Sequence, residues 1–175
     1  MLDGAIRFDK LAARIKELGM TSYALTDHGS LFGVVKFTEA MEKAGIKPII
    51  GCEMYITEDM TVKEKGAKSF HLVTLVKNKT GYQNLIKLVS RSYVEGFYYK
   101  PRIDKKLLAE FSEGLIGLSA CIQGEIPRAI LAGDMKRAFS LANEYKDIFH
   151  NDFFIEIQKH RSEERRVGKE CRSRW

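Results

Sequence analysis

Apolar positions recur along this chain in two registers, one near period 3.6 and one near period 2, and the two take turns. Over residues 6–18, Leu11, Ile15 and Leu18 fall at helical spacing, with Gly19 placed to end the helix. Residues 22–26 predict a short strand through Tyr23 and Leu25, and 27–30 the loop beyond its C-terminal end. Helical spacing returns over 31–44, with Val34, Val35, Phe37 and Met41 inward and Gly45 as terminator. A strand over 47–55 carries Ile49 and Ile50, then Cys52 and Glu53. Residues 58–68 are Lys/Glu-rich and weakly periodic, which predicts an exposed loop or hairpin tip. Beyond it lie a strand over 70–76 and a helix over 81–93 with Leu85, Ile86, Leu88 and Val89 on its apolar face. A short helix (107–111), a strand (115–119), helices over 125–131 and 135–149, and a final strand (153–158) complete the pattern.

Strands alternating with helices through short loops predict an α/β fold, with a parallel sheet or barrel and right-handed crossovers. Periodicity alone does not choose between an open doubly wound sheet and a barrel. The 175 residues fit one domain, with no internal repeat or Gly/Pro/Ser-rich linker. No apolar run approaches the roughly 20 residues of a membrane span, and no signal peptide is apparent, so a cytoplasmic protein without a membrane partner is expected. The net charge of +6 is less telling than it looks, because residues 161–175 hold six Lys/Arg against three Glu and so half the excess. The remainder is mildly basic, a weak pointer to nucleic acid. Cys52, Cys121 and Cys171 are too few and scattered for a disulfide framework; Cys52 and Cys121 follow apolar runs, as small buried residues or, for Cys121, as a metal ligand.

Chemistry-bearing residues gather near strand ends. Asp27-His28-Gly29 follows the first strand: Asp offers a hard oxygen, His a neutral nitrogen, and Gly29 room for a ligand at the backbone. Asp27 equally suits a helix cap. Glu53 follows buried residues, where a carboxylate is expensive unless a cation or hydrogen bonds stabilise it. His71 lies inside an apolar strand, as a ligand or a satisfied core residue, and Glu156 alternates with Ile155 and Ile157, facing a site or solvent. Together they suit metal-dependent phosphoester chemistry. No Gly-x-Ser-x-Gly elbow and no Walker-type phosphate loop occurs, and Ser119-Ala120-Cys121 lacks an evident base.

Longer segments carry a resemblance. Leu2-Asp3-Gly4-Ala5, Leu25-Thr26-Asp27-His28-Gly29, Lys47-Pro48-Ile49-Ile50-Gly51-Cys52-Glu53, His71-Leu72-Val73, Gly81-Tyr82-Gln83-Asn84-Leu85, Phe97-Tyr98-Tyr99-Lys100-Pro101-Arg102 and Leu118-Ser119-Ala120-Cys121 occur in this order. Over residues 1–160 the chain resembles the PHP (polymerase and histidinol phosphatase) domain found at the N-terminus of bacterial DNA polymerase III alpha subunits. The resemblance implies a distorted seven-stranded, TIM-like β/α barrel with up to three divalent metal ions, zinc or manganese. It implies Asp3, His28, Glu53, His71, Cys121 and Glu156 at metal positions, with Asp27 adjoining His28. It also implies a parent DNA-directed DNA polymerase, a nucleotidyltransferase using magnesium in a palm domain. DNA and other replicase subunits would be the parent's partners, and 3′→5′ exonuclease action a possible role of this domain. No polymerisation residue is expected here. A stand-alone PHP phosphoesterase and a non-catalytic scaffold are the alternatives; the 97–102 run argues against the first.

The family's early His-x-His and late Asp-x-His are absent, which predicts a partial barrel truncated at both ends, inactive by itself. Residues 161–175 read as a non-native tail, matching the frame translation of a short-read sequencing adapter, against the alternative of a basic tail that binds nucleic acid.

Overall fold

A computed structural model of the chain describes residues 6–158. Asp3 and the 161–175 segment lie outside the described residues. Six helices and six strands follow in the order α1 (Phe8–Glu17), β1 (Ser22–Leu25), α2 (Val34–Lys43), β2 (Lys47–Thr57), β3 (Phe70–Val76), α3 (Lys79–Val94), β4 (Arg102–Asp104), α4 (Lys105–Glu110), β5 (Leu115–Leu118), α5 (Glu125–Leu131), α6 (Met135–Ile148) and β6 (Phe153–Phe154). Three helices open on acceptor side chains: Asn78, Asp104 and Asp134 each receive a backbone N–H three residues on.

The sheet is mixed. β1–β2, β2–β4 and β5–β6 are parallel, whereas β2–β3 and β3–β5 are antiparallel. The expectation of an all-parallel sheet is therefore corrected. The polar 58–69 stretch contains no helix to carry the chain back over the sheet, so β3 returns directly alongside β2. The long β2 organises the whole. Its first half pairs with β1 and its last three residues with β4 along one edge, while β3 takes the other edge over Gly51–Ile56.

Two apolar clusters support this frame. The larger packs Met54, Ile56 and Leu72 from the sheet against Leu85, Leu88, Leu108 and Leu141 from the helices and Phe149 at the end of α6. The smaller holds α1 and α2 to β1 through Ile15, Phe37, Met41 and Ile46. Val34, Phe37 and Met41 face inward as their spacing predicts, but Val35 is 67% exposed. The apolar run had placed it inside; one 100° step round the helix turns it out. The final strand is two residues long rather than six, and the three-residue β4 carries no periodicity that would reveal it.

Candidate metal centre

The end of β1 continues beside β2 as an extended loop. The Glu53 N–H donates to the Asp27 carbonyl (3.0 Å) and the Gly29 N–H to the Glu53 carbonyl (2.9 Å), which brings His28 against Glu53. Side chains on β2 alternate. Cys52, Met54 and Ile56 enter the core, and Glu53 and Tyr55 occupy the opposite face. His71 stands across from Tyr55 in the antiparallel ladder, hence diagonal to Glu53 on the same face. The His71 N–H in turn donates to the Gln123 carbonyl (3.1 Å), drawing the loop after β5 over β3. Ala120, at φ 59°, turns that loop so that Cys121 arrives beside His71.

Four side chains thereby converge. Glu53 Oε1 lies 2.7 Å from His28 Nδ1 and 3.0 Å from His71 Nδ1. Cys121 Sγ lies 3.6 Å from the same His71 nitrogen and accepts the Gln123 N–H at 3.4 Å. The edge of the His71 ring meets Tyr55 at 5.3 Å between centroids. Burial favours the neutral form of Glu53, but the two imidazoles outweigh it and hold the carboxyl below its ordinary range. Burial likewise disfavours a charged His71, yet its contacts with Cys121 and Glu53 prevail and raise it to about 9. The cluster is thus a carboxylate clasped by protonated nitrogen.

The other expected ligands are placed differently. Asp27 turns its carboxylate to the Gly33 N–H (3.2 Å) at the entry to α2, while its backbone carbonyl steadies Glu53. Cys52 is fully buried, donates to the Asp27 carbonyl (3.4 Å), and has its thiol pushed up to about 12 by burial. It is a core residue, whereas Cys121 belongs to the cluster. Glu156 follows β6, its N–H donating to Ser119 Oγ (2.9 Å), and its Oε2 is buried without a partner among the described residues. Tyr55 was not foreseen as part of the site; its place two residues after Glu53 was the available signal.

Among the described residues no three of these donors are already spread into a metal cage. Their chemistry nonetheless fits a divalent ion: two imidazoles, a carboxylate and a thiol are zinc and manganese donors between them. The 3.6 Å between Cys121 Sγ and His71 Nδ1 matches the edge of about 3.6 Å that tetrahedral Zn–S and Zn–N bonds of about 2.3 and 2.0 Å generate. The two His–Glu separations are hydrogen-bond lengths, shorter than the ~3.3 Å edge of an N/O pair on zinc. Admitting an ion therefore means exchanging protons for it and opening the clasp by a few tenths of an ångström. Glu156 Oε2, buried and without a partner among the described residues, is a further available acceptor.

A family model described as the PHP domain matches residues 1–160. The DNA polymerase III subunit alpha of Borreliella burgdorferi is 49% identical over 164 residues, covering 91% of this chain and 14% of that protein. Its Helicobacter pylori counterpart is 48% identical over 171 residues, again covering 91% and 14%. The chain thus spans about a seventh of the length of these curated relatives. A solved structure from Bifidobacterium adolescentis, provisionally assigned as a metal-dependent phosphoesterase, is similar over 53% of this chain and 29% of its own, at 22% identity and a TM-score of 0.38. With a family match over nearly its whole length, the chain belongs to the PHP domain family.

Proposed function

We propose that this chain is the divalent-metal-binding PHP domain of a replicative DNA polymerase alpha subunit. Its parent would be a magnesium-dependent, DNA-directed DNA polymerase of the cytoplasm, working with DNA and other replicase subunits. The distorted seven-stranded barrel belongs to the same reading, as does a 3′→5′ phosphoesterase role for the complete domain and inactivity of this piece alone. The observation that supports it best is the convergence of His28, His71 and Cys121 on Glu53. His28, Glu53, His71 and Cys121 would hold zinc or manganese, with Glu156, Asp27 and Asp3 completing the set. Bound there, the metal would supply Lewis-acid polarisation of a phosphoryl oxygen. The chain's own residues do the rest: β2 presents Glu53 from a rigid core, the Gln123 N–H steadies the Cys121 sulfur, and Tyr55 fixes the plane of the His71 ring. The reading of residues 161–175 as adapter-derived and without function is part of the proposal.

Elemental analysis of the purified chain, dialysed against micromolar zinc or manganese, tests this. The wild-type chain should retain metal, and His71→Ala should lose most of it. A correctly folded wild-type chain that retains neither ion overturns the metal reading and leaves a scaffold.

A further inference from the structure

His71 reaches Glu53 from a strand, whereas His28 reaches it from a loop, and a loop needs support to hold a ligand in place. Part of that support is the Gly29 N–H, which donates to the Glu53 carbonyl (2.9 Å). The rest comes from two rings. A Cβ on Gly29 would come 2.6 Å from Pro101 Cγ and 3.1 Å from the Tyr55 ring, so both rings rest on the Gly29 backbone. Pro101 is buried, and Tyr55 is only 8% exposed. The same Tyr55 ring meets the edge of His71 at 5.3 Å. Gly29 therefore joins the two sides of the cluster: Pro101 presses on it beside His28, and Tyr55 links it to His71.

Pro101 is itself held from both directions. Upstream, the Tyr98 N–H donates to the Lys100 carbonyl (3.1 Å), and Tyr99 holds φ at 57°, in the left-handed region unfavourable to a residue with a side chain. Such a conformation persists only where its surroundings over-determine it. Downstream, Arg102 is 2% exposed, and its guanidinium donates to the carbonyls of Gly96 (3.1 Å), Met60 (3.3 Å) and Val62 (2.9 Å) while lying over the Tyr98 ring. The backbone of Arg102 stands opposite Tyr55 where β4 joins β2. Asp104 accepts the Met60 N–H (3.4 Å), so Met60 is gripped at both its backbone groups. A pyrrolidine ring with its φ already fixed, seated in this frame, has almost no freedom to retreat from Gly29.

We infer that Pro101 is a positioning residue of the metal centre, a wedge against Gly29 that keeps His28 on Glu53. This rests on the metal reading above and adds the part of the chain that governs the geometry of the site. Admitting an ion opens the His–Glu contacts by a few tenths of an ångström. With the wedge in place His28 yields that far and no farther, which keeps its nitrogen within reach of an ion held by Glu53, His71 and Cys121. Without it, the loop must give up conformational freedom each time an ion binds, and affinity falls.

Cobalt(II) titration of the full chain, followed by absorbance, tests this, with zinc affinity taken from competition against a chromophoric chelator. The wild-type chain should develop visible cobalt bands and a near-ultraviolet sulfur-to-cobalt band from Cys121. Pro101→Ala should bind both ions about tenfold more weakly, with altered visible bands and the sulfur band retained. Pro101→Val, which restores carbon at the γ position, should recover most of the affinity. In chelator, amide exchange at Gly29 should accelerate in Pro101→Ala while the amides of the β2–β3 ladder exchange as in the wild type. A proline that serves stability alone would lower the unfolding midpoint in chelator but leave the cobalt affinity and spectrum of the folded chain unchanged, and that result overturns the inference. Pro101→Val binding as weakly as Pro101→Ala also overturns it, since the loss would then lie in backbone freedom and not in the wedge. The two readings fail separately: a wild-type chain that takes up neither ion overturns the metal centre and the positioning role with it, whereas wild-type and Pro101→Ala chains that load equally overturn the positioning role alone.

Discussion

In the metal-free chain, His71 should make stability fall with rising pH. Its contacts with Cys121 and Glu53 raise the folded-state value to about 9 from an ordinary 6.5. A group whose folded pKa is raised binds its proton more tightly when folded, so the stability it contributes is fully present below about pH 6.5 and disappears as pH passes 9. A rise of that size is worth a few kcal/mol at most. His28, the neighbouring half of the clasp, is half-exposed, and solvent screening reduces the effect to about 1–2 kcal/mol. Urea unfolding in chelator at pH 6.5, 7.75 and 9 should show that loss, and His71→Gln should abolish most of the slope. Two-dimensional NMR of the imidazole should place His71 well above pH 8. A wild-type stability that is flat or rises over this window would refute the picture of a carboxylate clasped by protonated nitrogen. The same proton is what a metal must displace, so uptake of zinc should release protons and tighten with pH through the same interval.

Two further outcomes follow from the geometry. Gly29→Ala should cost about 2–4 kcal/mol by denaturant unfolding, since Gly29 holds φ at +59° and an added Cβ would come 2.6 Å from Pro101 Cγ and 3.1 Å from the Tyr55 ring; a neutral result would show that the 98–102 turn does not rest on this loop. Cys52, fully buried with its thiol pushed up to about 12, should resist iodoacetamide in the native metal-free chain while Cys121 reacts, as read by peptide mass spectrometry; equal labelling would contradict that division.

Much of this was legible in the chain itself, and the reasons differ by residue. The helix over 125–131 and the strand over 70–76 match α5 and β3 residue for residue, because strong periodicity is bounded there by polar or glycine signals. The helix ends at Gly19 and Gly45 adopt the positive φ expected of terminators. His28, Glu53, His71 and Cys121 all stand out in the sequence, but their assembly is not derivable from spacing. Antiparallel pairing of β2 with β3 makes His71 diagonal to Glu53, and a sequence of alternating strands and helices predicts parallel neighbours instead. At Gly29 the sequence suggests room for a ligand; the structure gives that room to Pro101 and Tyr55. Arg102 was invisible as a buried charge, since nothing local distinguishes an arginine held by three carbonyls from one in solvent.

Strand β2 shows why the cluster and the Phe97–Arg102 run lie together. Its alternation sends Cys52, Met54 and Ile56 into the larger core, each no more than 1% exposed, and this burial fixes the strand's position and twist. The opposite face of the same residues then holds Glu53 and Tyr55 with no freedom of their own to spend. Glu53 meets His28 from the parallel neighbour and His71 from the antiparallel one, which only a strand paired on both edges permits. Tyr55 uses its ring twice, with His71 at one contact and Lys100 at another. Further along, Tyr55 pairs with Arg102 in register, so β4 starts where the carbonyl-held guanidinium must sit. An error in β2 register would therefore exchange core and site faces at once. The packing that stabilises the domain and the geometry that concentrates its charge are two faces of one strand.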